Sequence, residues 1–442
     1  MSGALAAQMA LCARLWGEGA QAEAIARFRV VAAQHPGNAE VAAALAAALL
    51  QTGAWEEGVA LMDALGVRLP ARPELHDWHA QGLLLLGRAG EAIATLRRRV
   101  ARHPGDPRGH FLLAHHLLAT GALAEGWAEY AWRWQLIDPQ TARRRPREPH
   151  RRPDPAAWRG RTVLLYSEQG HGDTIQCLRY LPLVRAAGAR AVLAVQPGLV
   201  RLVRAIAGEA PVVPADDDPP GCDAAVPLFN LPWAFGTTLA TIPGQTPYLA
   251  ADPGATAHWR RRLAGLPGLR VGLVWAGAPN QQQADWRVID RQRSMTLAAL
   301  APLAAVPGTS FVSLQKGAAA AQAAAQPAGP APVEMVLHDW TDELGDFADT
   351  AALMAALDLV ITVDTGPAHL AGALGRPVWL LNRFNSCWRW LRDRDDSPWY
   401  PTLRQFRQAA PGDWAPVIRD VAAALSQAAA RAPAPGSGPP PP

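Results

Sequence analysis

Lysine is almost missing from this chain: Lys316 is the only one in 442 residues, so the basic charge rests on arginine, and the net charge is only +4. A bias of that kind follows coding preference, and so small an excess gives no electrostatic ground for binding nucleic acid. One dense basic run stands out, Arg143-Arg144-Arg145-Pro146-Arg147, continuing to Arg151-Arg152. Proline breaks it and no aromatic residue is interleaved with it, so it reads as a solvated linker rather than a phosphate- or lipid-binding patch. Cysteine is scarce too. Cys12, Cys177, Cys222 and Cys387 lie far apart without a CxxC spacing, which speaks against disulfide staples and a zinc site and for reduced thiols in a cytoplasmic compartment. No His, Cys or carboxylate cluster has metal-ligand spacing. No run of about 18 uninterrupted apolar residues is present, so no membrane span is expected. The opening MSGALAAQMALCARLWGEGA lacks a basic leader and already follows the repeat described next, so no signal peptide is expected.

What the chain does have is a 34-residue beat over its first third. Gly19, Gly53, Gly87 and Gly121 form one series, Glu23, Glu57, Glu91 and Glu125 a second, and Pro36, Pro70 and Pro104 a third. Each Glu is followed by Ala24, Gly58, Ala92 or Gly126. The glycine sits between two helical patterns. The Glu–small pair opens the second helix, where a small side chain lets helices approach closely, and the proline falls just after that helix ends. HPGN and HPGD, at residues 35–38 and 103–106, recur as the turns between repeats. A period of this length in helix–turn–helix units is the signature of a tetratricopeptide array, expected over 1–138, and such arrays curve into concave surfaces that hold a partner. The fourth repeat closes near Trp134. The His, Trp and Tyr residues of these helices read as packing residues.

The pattern then changes. Residues 139–159, rich in Arg and Pro, read as a linker. Short apolar runs alternating with helical stretches follow: RTVLLY (161–166), a helix from Thr174 to Ala187, ARAVLAVQ (189–196), then LRVGLVWAG (269–277), TSFVSLQ (309–315), VEMVLHDW (333–340), LDLVITVD (357–364) and RPVWLLN (376–382). This alternation argues parallel α/β. Two rounds of it, over 160–252 and 268–425, argue two Rossmann-like halves facing a cleft. Residues 432–442, within APAPGSGPPPP, cannot build a core and read as a disordered tail. The expected class is therefore α plus α/β.

Two strand–turn–helix segments could carry chemistry. In Ser167-Glu168-Gln169-Gly170-His171-Gly172-Asp173-Thr174, Gly170 and Gly172 let the backbone turn tightly and present N–H groups, and Asp173 falls at the carboxyl end of a parallel strand, where open α/β sheets place ligands. The plainer reading is a helix-capping Asp with turn glycines. The second segment is LDLVITVDTGPAHLAGALGRPVWLL. Asp364 ends the strand, Thr365 and Gly366 form the turn, Pro367 suits the first helical turn, and His369 follows early in the helix. Backbone N–H groups there, with the Thr365 hydroxyl and the helix dipole, suit a pyrophosphate. A capped helix with a packed His is the alternative. Asp393-Arg394-Asp395 spells DxD, but beyond the last expected strand it reads as no metal site, and Asp216-Asp217-Asp218 reads as a loop. Trp388, Trp390 and Trp399 suit either a stacking wall for sugar or base, or packing at a domain closure.

Asp364-Thr365-Gly366-x-x-His369 followed by Ala371-Gly372-Ala373-Leu374-Gly375 resembles the donor-binding motif of heptosyltransferase-like GT-B glycosyltransferases of the family 9 type. Gly172-Asp173 resembles that family's N-terminal loop, whose Asp is the catalytic base. Bacterial proteins joining a tetratricopeptide array to such a domain share phrases close to Asp346-Phe347-Ala348-Asp349-Thr350, Ser313-Leu314-Gln315-Lys316-Gly317, Trp388-Arg389-Trp390 and Asp396-Ser397-Pro398-Trp399-Tyr400-Pro401. The resemblance implies a GT-B fold, a nucleotide-diphospho-sugar as co-substrate with no further cofactor, inverting and metal-independent transfer, and a protein or other large acceptor held by the array. Heptosyltransferases carry a Lys in the loop after the first strand of the second half. This chain has AGAPNQQQADWRVIDRQRS there. Arg287, Arg291 or Arg293 could take its place, since arginine grips phosphate with two hydrogen bonds, or they could lie on a solvated loop. Lys316, after a strand end, could face donor phosphate or solvent. The rival expectation is a tetratricopeptide scaffold with a catalytically silent GT-B domain that binds protein partners.

Overall fold

The computed structural model describes residues 3–70, 72–137, 144–278, 284–324 and 335–431, with the backbone alone for 284–288 and 324. The tail 432–442, residues 139–143 of the expected linker and the Arg287 side chain lie outside the described residues. The chain forms two compact units, Met1–Asp138 and Pro139–Pro442.

The first unit is a series of paired antiparallel helices. They are α1 (Gly3–Gly17) and α2 (Gln21–Gln34), α3 (Ala39–Thr52) and α4 (Trp55–Leu65), α5 (Pro73–Leu85) and α6 (Ala89–Arg102), and α7 (Pro107–Ala119) and α8 (Leu123–Tyr130), with a short α9 (Arg133–Leu136) after them. The periodic glycines sit in the turn inside each pair at φ of 82°, 94°, 75° and 85°, a left-handed backbone that glycine adopts without strain. The small residue after each Glu is buried against the partner helix. A Cβ on Gly58 would lie 2.6 Å from Leu50 Cγ, and one on Gly126 would lie 2.7 Å from Leu118 Cδ2. Asn38 and Asp106 cap α3 and α7, accepting from Glu40 N–H and Arg108 N–H.

The structure gives the Glu series a role beyond opening a helix. Arg29 reaches Glu57 and Arg97 reaches Glu125, each at 2.6 Å. Both pairs join one repeat to the next at the same spacing. The rung between them is inverted: Asp63 stands where Arg29 and Arg97 stand in their repeats, facing Glu91. Arg88 neutralises the clash, bonding Asp63 Oδ2 at 3.0 Å and Glu91 Oε2 at 2.6 Å. These exposed pairs set register more than stability, each contributing under about 1 kcal/mol. The histidines are packing residues as expected. His76 and His79 are buried, and His79 Nε2 lies 2.9 Å from Asp63 Oδ1.

The second unit holds two parallel sheets. In the first, β1 (Thr162–Tyr166), β2 (Arg190–Val195), β3 (Val212–Pro214) and β4 (Ala224–Pro227) run in the order β3-β2-β1-β4. In the second, β5 (Leu269–Val274), β6 (Thr309–Ser313), β7 (Leu337–His338), β8 (Leu359–Val363), β9 (Val378–Asn382) and β10 (Leu403–Arg407) run in the order β10-β9-β8-β5-β6-β7. All the strand pairings are parallel. The chain is thus a tetratricopeptide helical array followed by a GT-B fold of two Rossmann-like halves. The strand order reverses beside β1 in one half and beside β5 in the other, the crevice position of open α/β sheets.

Two local readings change. The helix expected over 174–187 is two pieces, His171–Leu178 and Leu181–Ala186, with Pro182 in the first turn of the second piece, where it needs no N–H donor. The described part of the Arg/Pro segment, expected to be a solvated linker, is instead strapped to the first half. Arg144 donates to the Ala215 carbonyl and, at 2.5 Å, to that of Asp217. Arg152 donates to Ala234 O at 3.1 Å. Trp158 is buried with its ring edge-on to Phe235.

Candidate functional site

The site grows from two short helices, one in each half, that begin at the carboxyl ends of β1 and β8. His171–Leu178 follows the Gly170 turn, and Gly366–Ala373 follows Thr365. Their first turns meet. A Cβ on Gly172 would lie 2.6 Å from His369 Cδ2 and 3.4 Å from Gly366 Cα, so glycine at 172 is what lets the two ends come together. Each start carries the positive end of its helix dipole; in the second helix Pro367 has no N–H and Ala368 N–H already bonds the Thr365 carbonyl at 3.0 Å, so the foremost amide there is that of Gly366. Two such ends therefore converge on one place, with Asp173 on one side and Thr365-Gly366 on the other.

Asp173 does cap its helix: its Oδ2 accepts from Gly170 N–H at 2.9 Å. Its Oδ1 accepts from Arg389 Nη2 at 2.5 Å, across the two halves. Arg389 lies with its guanidinium 4.4 Å from the Trp388 ring centroid and 5.2 Å from that of Phe229, and donates to Cys387 Sγ at 2.9 Å. The carboxylate is thus mostly buried and held at both oxygens. His369 is buried with its Nδ1 2.8 Å from the Tyr400 hydroxyl and its ring 4.9 Å from that of Trp390. Burial first, then the charges of Arg389 and Arg179, hold its pKa well below the ordinary value, so it sits in this site as a neutral imidazole.

Thr365 occupies the cap position of its helix, yet its hydroxyl turns back to Val363 O at 3.1 Å. Asp364 is buried, and its carbonyl accepts from Arg293 Nη1 at 2.9 Å. Arg293 also pairs with Asp290 and packs on Gly277, where a Cβ would lie 2.7 Å from Nη2. It stands at the carboxyl ends of β5 and β8. Arg383, after β9, is buried beside it and donates to Gln292 Oε1 at 2.8 Å. Burial lowers its pKa, with Asp364 opposing. The loop after β5 is fixed from below by Gln315, whose Oε1 accepts from Trp275 N–H at 3.0 Å and from Ala276 N–H at 2.9 Å.

The residues singled out from the sequence therefore divide. Gly170, Gly172, Asp173, Gly366 and His369 come together, and Asp364, Thr365 and Arg293 adjoin them. Lys316 points elsewhere: exposed, it donates to the Thr341 carbonyl at 2.7 Å. Arg291 is exposed, two residues from Arg293 and so on another face of the helix. The three tryptophans are buried rather than lining an open wall: Trp388 meets Phe229 and Trp399 meets Arg179 across the halves, and Trp390 packs on His369 and Tyr400. The Trp399 carbonyl accepts from Arg179 Nη1 at 2.8 Å. Arg389, Arg383, Arg179 and Tyr400 were not foreseen as site residues. For Arg389 a signal was present, an arginine between two tryptophans, which suits a guanidinium held on aromatic faces. Among the described residues no group of His, Cys, Asp or Glu is placed to hold a metal ion, and no helix is long and apolar enough to cross a membrane.

Comparison with known proteins places both units. A tetratricopeptide repeat model matches residues 15–82, and the model of glycosyltransferase family 9 (heptosyltransferase) matches residues 345–381, which include Asp364 to His369. Protein FlbA of Caulobacter vibrioides is 33% identical over 299 residues, 62% of this chain and 47% of FlbA, so the chain spans about half the length of that relative. Among solved structures, a glycosyl transferase family 9 protein of Veillonella parvula has a TM-score of 0.40 at 10% identity, covering 61% of this chain and 92% of its own. An O-GlcNAc transferase of Thermobaculum terrenum has a TM-score of 0.28 at 14% identity, covering 87% of this chain and 83% of its own. The chain thus joins tetratricopeptide repeats to a segment similar to the heptosyltransferases of glycosyltransferase family 9.

Proposed function

We propose that this protein is a glycosyltransferase that moves a sugar from a nucleotide-diphospho-sugar to a protein or other large acceptor held by the array. The observation that carries this reading is the meeting of the two helix ends at Gly172 and His369. It sets a carboxylate, Asp173, beside an N-terminus suited to a diphosphate. In the proposed reaction Asp173 takes the proton of the acceptor hydroxyl as general base. The Gly366 amide and the helix dipole behind it, aided by Arg293 from the β5–β8 end, meet the charge that develops on the departing diphosphate. Attack from the side of Asp173, opposite the leaving group, inverts the anomeric centre. His369, neutral and packed, shapes the floor on which these groups meet. Arg293 takes the place that a lysine holds in heptosyltransferases, and its anchorage on the Asp364 carbonyl supports that assignment.

The test is a panel of UDP-, GDP-, ADP- and dTDP-sugars followed by calorimetry and thermal melting of the full chain. A donor that binds only the folded protein raises the melting temperature. The expected result is selective stabilisation by one base class. A chain whose melting and heat signals ignore every nucleotide would remove the donor reading.

A further inference from the structure

Proton transfer to Asp173 faces an obstacle in the empty protein: both carboxylate oxygens already accept strong donors, Gly170 N–H at 2.9 Å and Arg389 at 2.5 Å. Lone pairs remain on both oxygens, but the two donors take up much of the space around the carboxylate, and an acceptor hydroxyl gains room when one of them moves away. The Gly170 amide is fixed at a helix end. Arg389 is on a flexible stem, held on aromatic faces that attract a cation without neutralising it. Its charge is also felt at His369 in the first turn of Gly366–Ala373, so the guanidinium lies within electrostatic reach of the helix end proposed for the diphosphate. A diphosphate presents more negative charge than one carboxylate and offers oxygens suited to a guanidinium fork.

We propose that Arg389 exchanges anions during turnover: it holds Asp173 in the empty protein and moves to the diphosphate of a bound nucleotide sugar, so that donor binding frees the base for the acceptor. This rests on the donor reading above. Binding is then ordered, donor before acceptor. In the transfer step the acceptor O–H gives its proton to Asp173 and its oxygen forms a bond to the anomeric carbon. The bond from that carbon to the diphosphate oxygen breaks, and the electron pair leaves with the diphosphate, whose added charge Arg389 meets. When the diphosphate departs and Asp173 loses its proton to solvent, the ion pair reforms.

The experiment is a double-mutant cycle on nucleoside diphosphate affinity, read by calorimetry with ADP, UDP, GDP and dTDP on the full chain. With the nucleotide that binds, Asp173→Asn should tighten binding by about three- to tenfold, because Arg389 is no longer held elsewhere. Arg389→Gln should weaken it by about tenfold, and Arg389→Lys, which keeps the charge, should weaken it less. Adding Asp173→Asn to Arg389→Gln should change nothing further. A merely structural ion pair would make Asp173→Asn weaken binding or leave it unchanged, and either result overturns the exchange. Arg389→Gln binding like the unmodified chain overturns it as well. If Arg389→Gln does not fold, the sign of the Asp173→Asn effect decides alone. Failure of all four nucleotides to bind the unmodified chain removes the donor reading and the exchange with it, whereas binding without coupling to Asp173 removes only the exchange.

Discussion

At Asp173 one carboxylate does two things: it caps a helix and it faces the other half of the fold. The base role separates from the cap role by substitution. Asp173→Asn keeps an oxygen for the Gly170 amide but cannot take a proton, so turnover should fall by about 10² to 10⁴ while the nucleotide still binds, and the melting temperature should drop because Arg389 loses its partner. Loss of nucleotide binding in step with activity would reduce Asp173 to a cap. Asp173 was legible in the sequence because a strand, a glycine turn and a helix start are local patterns. Its partner Arg389 was not, because the pair joins residues 216 positions apart and no local pattern encodes such a contact. Lys316 shows the opposite failure: a cation after a strand end suggested a phosphate, and the fold uses it to tie a loop. A second residue-scale prediction concerns His76 in the array. Burial first, then Arg102, Arg98, His79 and Arg99, push its pKa down from 6.5 to about 4. The folded array therefore favours the neutral ring. The stability this confers is complete above the unfolded value and is lost as pH falls through the window from 6.5 towards 4. At about 1.4 kcal/mol per unit the upper figure is about 3 kcal/mol. Melting curves should shift down between pH 7 and 4.5, and His76→Leu should flatten that slope. An unchanged slope would remove His76 as its source.

At the scale of elements, the periodic small residues and the interior glycines make opposite predictions. Gly58 has no room for a side chain against Leu50, so Gly58→Val should destabilise the array by about 1 to 3 kcal/mol through overpacking. Gly90, in the helix Ala89–Arg102, would place a Cβ with nothing within 4 Å. Gly90→Ala should therefore stabilise by about 0.5 to 1 kcal/mol by favouring the helix. Thermal melts of the two variants check both signs, and a stabilised Gly58→Val would refute the close helix approach. The array was readable because each repeat writes the same packing rule into the sequence. The central strands were readable because strands buried on both faces are nearly continuous apolar runs. The edge strand β10, Leu403–Arg407, was not read: LRQFR carries two arginines and a glutamine, as an edge with one open side permits.

At the scale of the whole molecule, the strap of residues 144–158 sets where the second unit begins. A chain starting at Arg144 keeps the arginine contacts and the buried Trp158. One starting at Arg161 loses Trp158 from its place against Phe235, at a cost of about 3 to 5 kcal/mol. The longer fragment should melt cooperatively and keep nucleotide binding, and it should lose most transfer to a large acceptor, because the array no longer raises the local concentration of that acceptor. Equal transfer by the fragment and the full chain would detach the array from acceptor recognition.

The inverted rung at Asp63 makes the repeats unequal as units of inheritance. Excision of residues 39–72 would bring Arg29 opposite Glu91 and leave a favourable pair beside Arg88. Excision of residues 73–106 would bring Asp63 opposite Glu125 with Ala122 where Arg88 had stood, two like charges with nothing between them. Recombination can therefore shorten this lineage of repeats at its second unit without electrostatic conflict and not at its third, so descendants that have lost one of these two repeats should have lost Asp63 while keeping Arg88 and Glu91, and none should keep Asp63 without Arg88.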